Sequence, residues 1–247
     1  MDFSPVFENF PRLIEGFVLT VELTASALFF GMCLAIPLAL LRVSRHPILW
    51  MPVYGYIFFL RGTPLLIQIF LIYYGVGQIG WIKDTFLWPI FREAHWCAII
   101  AFSLNTAAYN AEILRGSIQA VPLGEVEAAR ALGMSKMLTF RRIILPHAVR
   151  IMLPAYSNDV VLTLQATSLA SIITLMDLTG VAEVMVAQYF MPYQFYLTIA
   201  AVYLATTYVI VWIFRRVERR LTGHLRERPS ERRLAAELAA KVPIPGA

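Results

Sequence analysis

From Arg115 to Arg150 the chain reads RGSIQAVPLGEVEAARALGMSKMLTFRRIILPHAVR, the longest non-apolar interruption between its hydrophobic runs. At its centre stand Glu127, Ala128 and Ala129, then three residues, Gly133, nine residues, and Ile143, Ile144, Leu145 and Pro146. Pro122 suits the first turn of a helix, where its missing N–H costs nothing. The run 124–132 is rich in good helix formers and in small alanines. Gly133 can take the left-handed conformation that ends a helix. Ser135 can cap a second helix from Lys136, and Pro146 is expected to stop it. The stretch predicts two short helices at a sharp angle, with small side chains on an exposed face that another protein can approach closely. A solvated connector would account for a lone Glu-Ala-Ala, but not for the additional positions at fixed spacing.

Hydrophobic runs lie on both sides. The 247 residues are 59% hydrophobic with mean hydropathy +0.65, which excludes a soluble domain of short amphipathic helices. About 20 apolar residues cross a bilayer. Runs at 17–41, 53–75, 96–114, 151–176 and 194–214 therefore predict an all-α polytopic membrane protein with five transmembrane helices. Residues 1–16 are expected to form a short amphipathic segment on the membrane surface. The first apolar run is too long for a signal peptide and is expected to be retained. Connections at 76–95, with Trp81, Trp88 and Trp96 suited to the interface, and at 177–193 are expected outside. Residues 1–222 read as one transmembrane domain with the loop at 115–150, and 223–247 as a flexible basic tail, a frayed amphipathic helix.

Charge gives the orientation. The net charge of +5 does not mark a nucleic-acid binder, because the basic residues sit in short segments beside the spans. With the amino terminus outside, the inner segments 42–46, 115–150 and 215–247 carry seventeen Lys and Arg, against three outside (Arg12, Lys83, Arg92). That asymmetry places the amino terminus in the periplasm, and the loop and carboxyl terminus in the cytoplasm. Cys33 and Cys97 fall in apolar runs and are expected as free buried thiols. The four histidines are scattered and predict no metal site.

The pattern E-A-A, three residues, G, nine residues, I-x-L-P resembles the cytoplasmic loop signature of permease subunits of binding-protein-dependent ABC importers. Arg61-Gly62-Thr63-Pro64-Leu65-Leu66-Ile67-Gln68 resembles the R-G-T-P-L-x-x-Q motif of the polar amino-acid branch. The stretches 104–109, 155–159 and 167–170 are similar too, as in M-type subunits of histidine, arginine or octopine/nopaline importers. Many relatives carry Glu where this chain has Asp159, which keeps the charge and shortens its reach.

The resemblance implies a type I ABC importer permease fold in the bacterial inner membrane, and no enzymatic activity. It implies a pair of ATPase subunits, a second permease (a Q-type sister or a second copy) and a periplasmic solute-binding protein. It also implies a coupling role for Glu127, Ala128, Ala129, Gly133, Ile143, Leu145 and Pro146. The cargo expected is a polar amino acid or opine, basic ones first, with acidic or neutral amino acids as the alternative. No cofactor is expected on this chain: it has no G-x-x-x-x-G-K-[S/T], so ATP and Mg would be held by the partner ATPase. Gly75-Val76-Gly77-Gln78-Ile79-Gly80 fits a dinucleotide fingerprint, but it ends an apolar run rather than joining a strand to a helix, and reads as a turn.

Polar residues within spans are costly and point to function. Arg61 can meet a carboxylate with paired hydrogen bonds, and Asp159 a cationic group. Asn105, Tyr109 and Glu112 share one face of the third span, and Asn158 and Gln165 one face of the fourth, with Thr167 and Ser168 a turn beyond. These faces are candidates for a polar pathway. Equally, Arg61 and Asp159 can pair with each other or with backbone and only hold helices together, and Glu112 can pair with Arg115 one turn away. Pro64 and Pro154 are candidates to break their helices toward a cavity. Gly31 and Ala35 read as close-packing residues. An ion-gradient-driven secondary transporter would show paired broken helices in repeated halves, and no such repeat is visible.

Overall fold

A computed structural model describes residues 2–222. The element order is α1 (Ser4–Glu8), α2 (Phe10–Val43), α3 (Pro47–Gly62), α4 (Leu65–Phe70), α5 (Gly80–Lys83), α6 (Trp88–Phe91), α7 (Ala94–Gln119), α8 (Leu123–Ala131), α9 (Lys136–Thr139), α10 (Leu145–Ala166), α11 (Leu178–Tyr189) and α12 (Pro192–Thr222). Among the described residues there is no strand. Three helices, α2, α7 and α12, are long and apolar enough to span a membrane alone, and five spans result if each of two bent helix pairs counts as one.

α2 and α7 form the most extensive helix pair. Their approach is set by small residues: a Cβ on Gly31 would lie 2.9 Å from Thr106 Cγ2, and Ala27, Ala35 and Ala39 are fully buried. Close approach of backbones is the main source of packing energy between helices in lipid, where hydrophobic burial gives no advantage. Leu23, Ile69, Phe102 and Ile173 belong to one core cluster. Ile57, Ala111 and Met152 belong to a second, nearer the 115–150 loop along α7. A third cluster joins Leu13 and Leu178 to Phe195.

Several expected boundaries move. The first long helix begins at Phe10 and runs 34 residues, so the expected surface segment divides between the short helix α1 and the start of a helix continuous with span one. Span two is not straight: the helix stops at Gly62 and restarts at Leu65 with a 107° change of direction, as Thr63 and Pro64 take extended angles. The connection 177–193 is largely helical, as α11, capped by Asp177 accepting from the Thr179 and Gly180 N–H groups. Cys33 is exposed rather than buried, whereas Cys97 is buried; both are free. The tail 223–247 lies outside the described residues.

Candidate functional site

α7 and α10 border a half-open cavity of about 170 Å³ lined by Leu65, Asn105, Thr106, Tyr109, Asp159 and Thr163, among others. The hydroxyls of Thr106 and Thr163 are 3.5 Å apart across the helix interface. Asp159 is 7% exposed. Among the described residues it makes no ion pair, and its Oδ2 has no hydrogen-bond partner. Asn110 lies beside it, fully buried, its amide close enough to interact with the carboxylate although neither amide atom reaches a well-formed hydrogen bond. An ionised carboxylate is expensive at such a site unless a cation or hydrogen-bond donors meet it. The arrangement can therefore hold the cationic end of a ligand.

The expected pathway residues divide. Asn105, Tyr109 and Asp159 line this cavity. Asn158 and Gln165 are exposed on other faces of α10 and contribute nothing to it; i, i+7 spacing gave them a common face but could not say which one. Thr167 is buried with its hydroxyl on Leu164 O, and Ser168 donates to Gln165 O. Both belong to the 3-10 turn Thr167–Ile173 that follows α10. Arg61 does not pair with Asp159; its guanidinium lies over the Tyr109 ring at 5.0 Å.

The break in span two is held by a residue that sequence reasoning quoted without a role. Gln68, 3% exposed, donates through Nε2 to Leu60 O at 2.7 Å, Thr63 O at 3.0 Å and Thr63 Oγ1 at 2.9 Å. Asn105 Nδ2 in turn donates to Gln68 Oε1 at 3.0 Å. A broken helix leaves carbonyls without intrahelical partners, and in lipid these must be satisfied by side chains. Asn105 therefore does two things: it edges the cavity and ties α7 to the break. A Gln placed four residues after an intramembrane Pro is the signal that would have marked this clamp.

Toward the loop end of α7, Glu112 holds more than the expected Arg115. Arg115 donates from Nε at 2.8 Å, and Arg42 of α2 approaches at 3.3 Å as an ion pair without an aligned hydrogen bond. Arg42 also lies over Trp50 and Tyr54 of α3. A cleft of about 390 Å³ opens here between α3 and α7, lined by Tyr54, Phe58, Arg61, Tyr109 and Glu112.

The 115–150 loop folds largely as its sequence reads. α8 starts one residue after Pro122, which sits at the cap rather than in the first turn. Gly133 has φ +76°. Its N–H donates to Arg130 O at 2.9 Å and that of Met134 to Ala129 O at 3.1 Å, the paired bonds of a left-handed helix end. Ser135 Oγ accepts from Leu138 N. Glu127 and Ala128 are exposed, with Ala129 turned inward, and Leu123, Leu132 and Met137 stand at least 74% exposed nearby. This is an apolar patch of the kind that marks a protein interface. Pro146 does not stop the second helix. A π-helical segment, Phe140–Ile144, joins α9 to α10 without interruption, and the wider turn accommodates the proline near the start of α10. Ile143, Leu145 and Pro146 thus belong to the root of span four.

Residues 27–223 match the family described as the binding-protein-dependent transport system inner membrane component. The chain is 48% identical over 220 residues to the octopine transport system permease protein OccM of Rhizobium meliloti, covering 88% of this chain and 90% of that one. It is 40% identical over 211 residues to the histidine/lysine/arginine/ornithine transport system permease protein HisM of Salmonella typhimurium, covering 85% and 90%. Among solved structures, a crystal structure of an amino acid ABC transporter with histidines superposes with TM-score 0.81 at 33% identity, over 89% of this chain and 99% of that one. A multi-pass inner-membrane permease of the type I ABC importer class is what this fold and these likenesses define. The chain belongs to the binding-protein-dependent transport-system family, in its polar amino-acid branch. That membership displaces the reading as an ion-gradient-driven transporter, and makes the chain a transport component rather than an enzyme.

Proposed function

We propose that this permease carries amino acids or opines with a cationic group, and that Asp159 meets that group within the membrane. The observation that carries the reading is the buried Asp159 carboxylate, which faces a cavity with Oδ2 unpartnered among the described residues. Relatives named for octopine and for histidine, lysine, arginine and ornithine are permeases for cargo of the same chemistry. Arg61, near the inner mouth, takes the carboxylate, and Asn105 and Tyr109 edge the route between them. Thr167, Ser168, Asn158 and Gln165 lie off this route.

The wider assembly follows from the family. Residues 1–222 form the transmembrane domain, with the amino terminus periplasmic and the 115–150 loop and carboxyl terminus cytoplasmic, as the charge asymmetry requires. Two ATPase subunits, which bind ATP and Mg, dock on Glu127, Ala128 and the apolar patch around them. A second permease subunit completes the pathway and a periplasmic binding protein delivers the cargo.

The test is ATP-driven uptake in proteoliposomes by the complete complex, comparing arginine, histidine, octopine, glutamate and glutamine with and without Asp159→Asn. A charge-assisted contact contributes about 1.5–3 kcal/mol, so cationic uptake should fall roughly ten- to hundredfold. Preferential uptake of glutamate, or an Asp159→Asn complex equal to the parent on arginine, would overturn the reading. Glu127→Lys should abolish uptake while the permease still co-purifies with its partner permease, having lost the ATPase.

A further inference from the structure

Two of the hollows described above meet at one side chain. The Asp159 cavity and the Arg61 cleft share a single lining residue, Tyr109. Along α7 the cavity takes Phe102, Asn105, Thr106 and Tyr109, and the cleft takes Tyr109 and Glu112, so the two follow each other toward the loop end of the helix. Tyr109 is also held differently from Tyr56 and Tyr189. Tyr56 donates its hydroxyl to Leu104 O at 2.7 Å, and Tyr189 accepts from Asn9. Among the described residues the Tyr109 hydroxyl makes no hydrogen bond. Its ring is held through the guanidinium of Arg61, 5.0 Å from the centroid.

We propose that Tyr109 is a movable partition between the cavity and the cleft, latched shut by Arg61; this rests on the reading that cargo passes from Asp159 toward the loop. A cation–π contact at a partly wet site is weak beside a bidentate guanidinium–carboxylate pair. The carboxylate of an amino acid entering from the cavity is the chemical group able to draw Arg61 off the ring. The same arrangement keeps the path closed to solutes that bring no such group.

The experiment uses the complete complex in proteoliposomes and reads two quantities: efflux of preloaded radiolabelled arginine without ATP, and ATP hydrolysed per arginine taken up. Tyr109→Leu and Arg61→Gln should each raise ATP-free efflux by about tenfold, the range a lost cation–π latch allows. The double variant should leak no more than the leakier single, because both remove one contact. Tyr109→Phe keeps the ring and should stay as tight as the parent. Tyr109→Met, closer in volume, serves if the Leu variant does not assemble. Tight vesicles with the Leu or Met variant, leak from Tyr109→Phe, or leaks that multiply in the double variant would each overturn the latch. Repeating the efflux with glutamine in an Asp159→Asn background separates the two readings. Leak there through Tyr109→Leu keeps the partition even where the cation site fails.

Discussion

Helix α7 buries 67% of its most apolar stretch and α12 only 6%, although α12 is the more uniformly apolar of the two. α7 carries Ser103, Asn105, Thr106, Asn110 and four alanines within 101–111, and it touches α2, α3, α4 and α10. α12 carries Leu204, Tyr208 and Trp212, each more than half exposed. In water the more hydrophobic helix would lie at the centre. In a bilayer, lipid already solvates Leu and Trp, so hydrophobicity marks the periphery, while small and polar side chains mark the helix others must touch.

The sharpest way to break this contrast is at the α2–α7 crossing. Gly31→Val places atoms where Thr106 now lies, and overpacking at a rigid site should cost about 3 kcal/mol. Thermal unfolding of the detergent-solubilised complex should show the loss, and an unchanged midpoint would mean that the crossing is not tight. Next comes Gln68→Leu, which strips the clamp at the 107° break and leaves carbonyls of Leu60 and Thr63 without these donors. A cost of about 2 kcal/mol is expected, with Gln68→Glu recovering little, because a carboxylate cannot donate to carbonyls.

Asn110→Leu sharpens the comparison from the other side. Both polar atoms of the Asn110 amide are buried without hydrogen bonds. Replacing them by an apolar isostere should therefore leave stability unchanged or raise it by about 1 kcal/mol, while uptake of cationic cargo falls severalfold beside Asp159. A large drop in stability would show that Asn110 is structural glue. Smallest of all, Leu204→Ala on the outer face of α12 should shift stability by less than about 0.5 kcal/mol. A larger shift would mean that this face is covered by a partner subunit.

The sequence made the loop legible in detail because its conformation depends on local chemistry. Gly133 at positive φ and Ser135 at a cap are decisions made within one helical turn. Orientation was argued from the placement of Arg and Lys for the same kind of reason. Span two was not legible, because Thr63-Pro64 can kink, cap or sit extended, and a clamp eight residues away in sequence, from Gln68 to Leu60, selects the sharp break. Asn158 and Gln165 lie exposed, away from the Asp159 cavity; periodicity groups residues by face and leaves the direction of the face to tertiary packing. A pair between Arg61 and Asp159 was one of the readings left open, and Arg61 instead rests on Tyr109. Charge complementarity alone could not weigh the distance between the second and fourth spans. Pro146 was misread because a π turn just before it accommodates the ring, and Pro154, also expected to break its helix, lies inside the continuous α10.

The join of α9 to α10 has a mechanical consequence. Helix runs from Lys136 through the π segment to Asp159 with no non-helical residue between, so the root of the loop and the wall of the cavity are one rod, about 35 Å long at 1.5 Å per residue. A hinge between them would have absorbed a displacement; a rod delivers it, with a small tilt at one end becoming a large excursion at the other. The wider π turn, with Pro154 further along α10, is then a compliant washer in that shaft, and the stiffness of the two sets how much of the stroke arrives.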